Sequence, residues 1–193
     1  MLQVVSRAVP VAVAILIVGG TAPQGRAEGA GPLTALVDAL AERLTIAEPV
    51  AAYKWGAHGD IEDPVRIQQE LATLREDAAS AHVDPDYVAR VFSDQIDATE
   101  AIEYRRFADW KLEPAAVPPP PADLAGSRAV IDALNTKILS HISLNWSLLH
   151  SPACAGLLSD ARTAVTRQRN LDDLYRRALT AATASYCPTQ PPA

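Results

Sequence analysis

The chain has 193 residues, a formal charge of −6, 49% hydrophobic residues and two cysteines. An acidic protein without a Lys/Arg tract is a poor nucleic-acid binder and has no basic patch for a membrane surface. Four histidines and two cysteines with no His-x-x-x-His or Cys-x-x-Cys spacing leave no metal-site pattern.

Residues 1–27 read "MLQVVSRAVPVAVAILIVGGTAPQGRA". One arginine precedes an apolar run of about a dozen residues, which is short for a membrane span, and small residues follow up to Gly25-Arg26-Ala27. This pattern predicts a secretory signal peptide; an uncleaved anchor is the other reading. The mature protein then begins near Glu28 and is exported, secreted, periplasmic or held at the cell wall. Losing Arg7 and Arg26 leaves fifteen Lys/Arg against twenty-three Asp/Glu, a charge of −8.

Alanine and leucine dominate the remainder, and apolar residues recur at three and four with no alternating run. That periodicity predicts an all-α fold, a single domain of six helices over residues 28–193. The first helix should run from about Pro32 to Tyr53, bent at Pro49. After the loop "GAHGD", Asp63-Pro64 is a good cap and first-turn pair, and it starts a second helix to about Ser80. "DPDY" (84–87) repeats the signal for a third helix reaching Trp110. The Pro-rich stretch 113–123 reads as an extended connector inside the domain. A fourth helix spans about Asp123 to Leu149. "SPAC" starts a fifth, and a break at Arg169-Asn170 leads to a sixth that ends before Pro188. An exported chain with two cysteines most simply makes one disulfide, Cys154–Cys187, and an antiparallel helical hairpin would bring the two together.

Three predicted helices carry charge on the face that should be buried. Arg43 and Lys54 lie eleven residues apart, three turns, with Ile46, Ala47 and Val50 on the same side. On the third helix Val88, Phe92, Ile96 and Ile102 share a face with Thr99 and Glu103. On the fourth, Arg128 joins Leu124, Ile131, Leu139, Ile142 and Trp146. Internal ion pairs are one explanation, with Glu103 answering one cation, but they leave two positive charges unanswered. A pocket for a small dianion is the other. On the second helix Arg66 and Glu70 share a face with Thr73 and Asp77, and read as a solvated i, i+4 salt bridge.

Arginine followed eleven residues later by lysine, "IEDPVRIQQEL" on the second helix and Thr-x-x-x-Glu on the third resemble the all-helical AroQ chorismate mutases. The leader, connector, extra C-terminal helices and late cysteines are similar to the exported gamma subclass. The resemblance implies conversion of chorismate to prephenate, with no cofactor and no metal. It implies that Arg43 and Arg128 grip the substrate carboxylates and that Lys54 reaches a carboxylate and the breaking ether oxygen. Arg66 and Glu70 would line the site with Asp63 beside them, Thr99 would help bind the ring-side carboxylate, and Glu103 would face the ether oxygen. It also implies a homodimer, without locating the interface. Because an ionised carboxylate would repel the ether oxygen's growing charge, Glu103 is expected to work protonated. The rival reading of the residues is an exported helical protein that binds a ligand or partner without turnover.

Overall fold

The computed structural model describes residues 31–188, so the expected leader and its cleavage site lie outside the described residues. These residues form α1 (Thr34–Thr45), α2 (Ala47–Ala57), α3 (Pro64–Ser80), α4 (Pro85–Leu112), α5 (Ala125–Leu144), α6 (Trp146–Leu149), α7 (Cys154–Gln168) and α8 (Asp173–Ala181). There is no strand among them. The fold is all-α, and the six expected helices are present with the first and fourth each interrupted.

Pro49 interrupts the first helix one turn before itself. It has no N–H to give the Thr45 carbonyl, so the chain tightens at Ile46, whose N–H bonds to Arg43 O three residues back at 3.1 Å. Pro49 itself sits in the first turn of α2, where a missing N–H costs nothing. Ile46 keeps right-handed helical dihedrals, so α2 continues close to the direction of α1. At the second interruption, the Asn145 side chain donates to His141 O at 2.8 Å and competes with the helix for that carbonyl. Asp63, Asp84 and Asp172 cap α3, α4 and α8 by accepting backbone N–H bonds of 2.9–3.3 Å.

α1 is the axis of the bundle, in contact with α4, α5, α7 and α8. Leu36, Val37, Leu40 and Leu44 are no more than 1% exposed, and each contributes about 1.5–3 kcal/mol on burial. α4, about 42 Å long at 1.5 Å per residue, packs its first half on this core. Its second half meets α2 in a separate cluster of Ala51, Ala52 and Trp110, with Trp55, Phe107 and Val117 against it. Beyond a short 3-10 turn at Pro114–Ala116, residues 117–124 are not helical. Cys154, at the start of α7, is bonded to Cys187 beyond α8 with the Cα atoms 5.7 Å apart. Among the described residues no helix is long and apolar enough to cross a membrane.

α2, α3 and α7 end on His58, His82 and Asn170, with φ of 53°, 56° and 49°. In each case the next residue's N–H bonds back five residues, a Schellman ending that glycine fills without strain. His82 is exposed, so its side chain has little packing to lose. His82→Gly should therefore raise the urea midpoint at unchanged m, by a stability gain of about 0.5–1 kcal/mol.

Candidate active site

Five helices converge on one half-enclosed cavity of about 140 Å³. α1 sends Arg43, α2 Lys54, α3 Arg66 and Glu70, α4 Thr99, Glu100 and Glu103, and α5 Ser127 and Arg128. Asp63, the cap of α3, lies at its edge, while Val50, Ile61, Ile67, Ile96, Leu124 and Ile131 supply apolar wall. All eight residues singled out from the sequence thus line the same cavity.

Arg43 is 3% exposed at the C-terminal end of α1, an end that favours a cation. Its Nε–H donates to Asn135 Oδ1 at 2.8 Å and its Nη2 to Glu70 Oε1 at 2.6 Å. Asn135 Nδ2 closes the triangle by donating to the same Glu70 oxygen at 3.0 Å. Burial pulls the Arg43 guanidinium below its ordinary pKa, and Glu70 opposes that shift. Lys54 donates to Glu103 Oε2 at 2.9 Å and to the Ile61 carbonyl at 2.5 Å. An ammonium has three protons, so one remains for the cavity. Burial raises the Glu103 pKa; the Lys54 hydrogen bond and charge pull it back, and Glu100 adds to the rise. Glu100 is raised as well, first by burial and then by Glu62 and Asp97.

The rim is different. Arg128, in the first turn of α5, is exposed, with no carboxylate in ion-pair reach among the described residues. Arg66 is 3.6 Å from Asp132, and both side chains are open to water. Formally the lining is balanced, with four cations against Asp63, Glu70, Glu100 and Glu103.

Three expectations are corrected. Arg66 and Glu70 do not pair with each other: Glu70 turns inward to Arg43, and its side chain is only 13% exposed. Arg128 is not a buried charge, because the apolar stripe of α5 leaves the core at its N-terminal turn and becomes cavity wall. The surplus inside is smaller than two, since both deep cations have a carboxylate. Thr99 is in place, but its hydroxyl proton goes to the Gln95 carbonyl at 2.8 Å and must rotate to reach a ligand. Asn135, Glu100 and Ser127 were not singled out. Asn135 lies seven residues after Arg128 and four after Ile131, on the α5 face already identified, so helical spacing carried the signal.

A small polar cavity walled by apolar side chains on rigid helices is the form of a small-molecule site. Comparison with known proteins gives the class. The family model for chorismate mutase type II matches residues 34–104. A secreted chorismate mutase of Mycobacterium tuberculosis (strain ATCC 25618 / H37Rv) is 59% identical over 171 residues, covering 89% of this chain and 86% of that protein. The secreted chorismate mutase of Mycolicibacterium smegmatis (strain ATCC 700084 / mc(2)155) is 49% identical over 177 residues, covering 92% and 97%. The crystal structure of chorismate mutase from Burkholderia phymatum matches with a TM-score of 0.77 at 29% identity, over 81% of this chain and 96% of that one. The chain belongs to the chorismate mutase family. It is an exported isomerase of that class.

The Arg43 triangle makes a direct stability prediction. Asn135→Leu keeps the number and branching of side-chain heavy atoms but strands a buried guanidinium N–H and one bond of Glu70. Denaturation should record a loss of about 1–3 kcal/mol. A loss below about 0.5 kcal/mol, the range of an ordinary surface substitution, would mean that Arg43 does not depend on Asn135.

Proposed function

We propose that this exported chorismate mutase turns chorismate into prephenate by gripping the dianion between two deep and two rim cations. The observation that carries this reading is the convergence of Arg43, Lys54, Arg66 and Arg128 from four helices, with Glu103 behind Lys54 on a fifth. The reaction is unimolecular: one C–O bond breaks as one C–C bond forms, and no group leaves the molecule. What a protein can add is conformation and field.

In this reading Arg43 and Arg128 hold the two carboxylates, so that the enolpyruvyl group lies over the ring. Arg43 is suited to this because Asn135 and Glu70 lock its planar fork, leaving part of it to face the cavity. Arg66 and Thr99 add polar contacts on the carboxylate side, Asp63 holds the α3 terminus that presents Arg66, and Glu70 sits near the ring hydroxyl. The third Lys54 proton meets the ether oxygen, where negative charge grows as the bond stretches. That contact strengthens toward the transition state, so it lowers the barrier and does not merely tighten binding. All these residues come from one chain, which supports a pocket complete in each copy of a homodimer. The mature enzyme begins near Glu28 and works outside the cytoplasm, and neither nucleic acid nor a membrane takes part in the reaction.

Glu103 faces the same oxygen and acts as a donor only when protonated. Burial already raises its pKa, and a bound dianion raises it further by competing for Lys54. The sign follows: as pH climbs through the shifted pKa the proton is lost, and activity declines on the alkaline side. Glu103→Gln should retain activity and flatten that decline. Equal loss at every pH would contradict the protonated role.

The function itself is tested with the oxidised mature chain, given chorismate and no other addition. Prephenate should form, and Arg128→Ala should lower kcat/KM by about 10- to 100-fold, the worth of a lost charge-assisted contact, at unchanged helical content. A well-folded wild-type protein that binds chorismate without product would support the ligand-binding alternative.

A further inference from the structure

A second concave site lies on α7 and α8, which contribute nothing to the catalytic cavity. α7 packs on α1 and α8 on α4 and α1, so the two helices are held more by the bundle than by each other. Between them is a trough of about 550 Å³ into which Arg162, Arg167, Arg176 and Arg177 project. No carboxylate lines it, in contrast to the balanced catalytic cavity. Arg176 pairs with Asp173 and half-buried Arg162 reaches the Thr183 hydroxyl at 3.3 Å. Arg162, Arg167 and Arg177 have no carboxylate within ion-pair reach among the described residues. Arg167 sits in the last turn of α7, where any helix favours a cation, but that explains one arginine of four.

The trough also breaks the charge pattern of the chain. Residues 31–153 carry ten Lys/Arg against nineteen Asp/Glu, whereas residues 154–188 carry five arginines against three aspartates. Like charges gathered on one face of an otherwise acidic molecule repel one another, and an anion that bridges them relieves the repulsion. The walls are fixed as well. The Cys154–Cys187 disulfide ties the two helices at one end and the tight turn at Asn170 ties them at the other.

The structure assigns this trough, we infer, as a binding site for an oligoanion bearing phosphate or sulfate groups. Guanidinium forks match tetrahedral oxyanions bidentately, and four in one groove suit a chain of such groups better than a single ion. The oxyanions could be carried by a soluble polymer or by lipid headgroups; the recognition chemistry is the same.

The test titrates the oxidised mature protein with short-chain inorganic polyphosphate and with a heparin oligosaccharide, at low and at physiological salt. Saturable binding should weaken as salt rises. The double variant Arg162→Gln/Arg177→Gln should bind about tenfold or more weakly with chorismate turnover unchanged. Arg75→Gln/Arg105→Gln removes the same charge from exposed positions elsewhere and should bind like the wild type. No wild-type binding at low salt to either polymer or to phosphatidylglycerol vesicles, or an equal loss in both double variants, overturns the site. So does equally tight binding of polyglutamate, which has charge but no tetrahedral oxyanion. Phosphatidylglycerol vesicles separate the sources. Vesicle binding that depends on the trough, without polymer binding, assigns the oxyanions to lipid and upholds the site; vesicle binding that ignores the double variant overturns it.

Discussion

One buried charge governs the architecture of the catalytic end. Arg43 is the charged side chain that α1 buries among leucine, valine and alanine, and a lone guanidinium there would cost several kcal/mol. Its two partners come from two other helices, Glu70 from α3 and Asn135 from α5. Satisfying it therefore fixes how α3 and α5 sit against α1, and the same registration sets the shape of the cavity. Lys54 repeats the pattern on α2, tied to α4 through Glu103 and to the loop carbonyl of Ile61. Buried ion pairs are weak sources of net stability, but they reject wrong packings, and here they leave the donors aimed before any ligand arrives.

The cations divide by depth. Arg43 and Lys54 are held by carboxylates and lose little freedom on binding. Arg66 and Arg128 are solvated at the mouth, where charge can capture a dianion approaching a protein that is acidic overall. Formal balance in the lining means that a bound dianion brings net negative charge into a place of low polarity. Under the proposed reading that excess is relieved by a proton, and burial already pushes the Glu103 and Glu100 carboxyls in that direction.

Much of this was legible in the sequence because the information is local. Helical periodicity, the Asp-Pro starts and the two late cysteines determine elements without reference to neighbours. The alignment of Arg43 with Lys54 survived the interruption because Pro49 removes one hydrogen bond and leaves Ile46 helical. Partner choice was not legible. Glu70 looked solvated because its helical neighbours Thr73 and Asp77 are exposed, and only the approach of α1 and α5 reveals the inward turn. Arg128 looked buried because its stripe is apolar, and an apolar stripe reads the same whether it meets core or cavity. Asn135 shares the spacing of Ile131 and Leu139, but an uncharged side chain there carries no sign in the sequence of the partner it meets.

Proton uptake on ligand binding tests the central claim most directly, that the cavity accepts a dianion by protonating Glu103. Calorimetry with a non-reacting dicarboxylate analogue of the transition state, in buffers of differing ionisation enthalpy, counts the protons taken from solution. At a pH between the Glu103 pKa of the free enzyme and that of the complex, the wild type should take up about one proton per site and Glu103→Gln close to none. Tight binding with no uptake at any pH in the wild type, or the same uptake in both proteins, would contradict it.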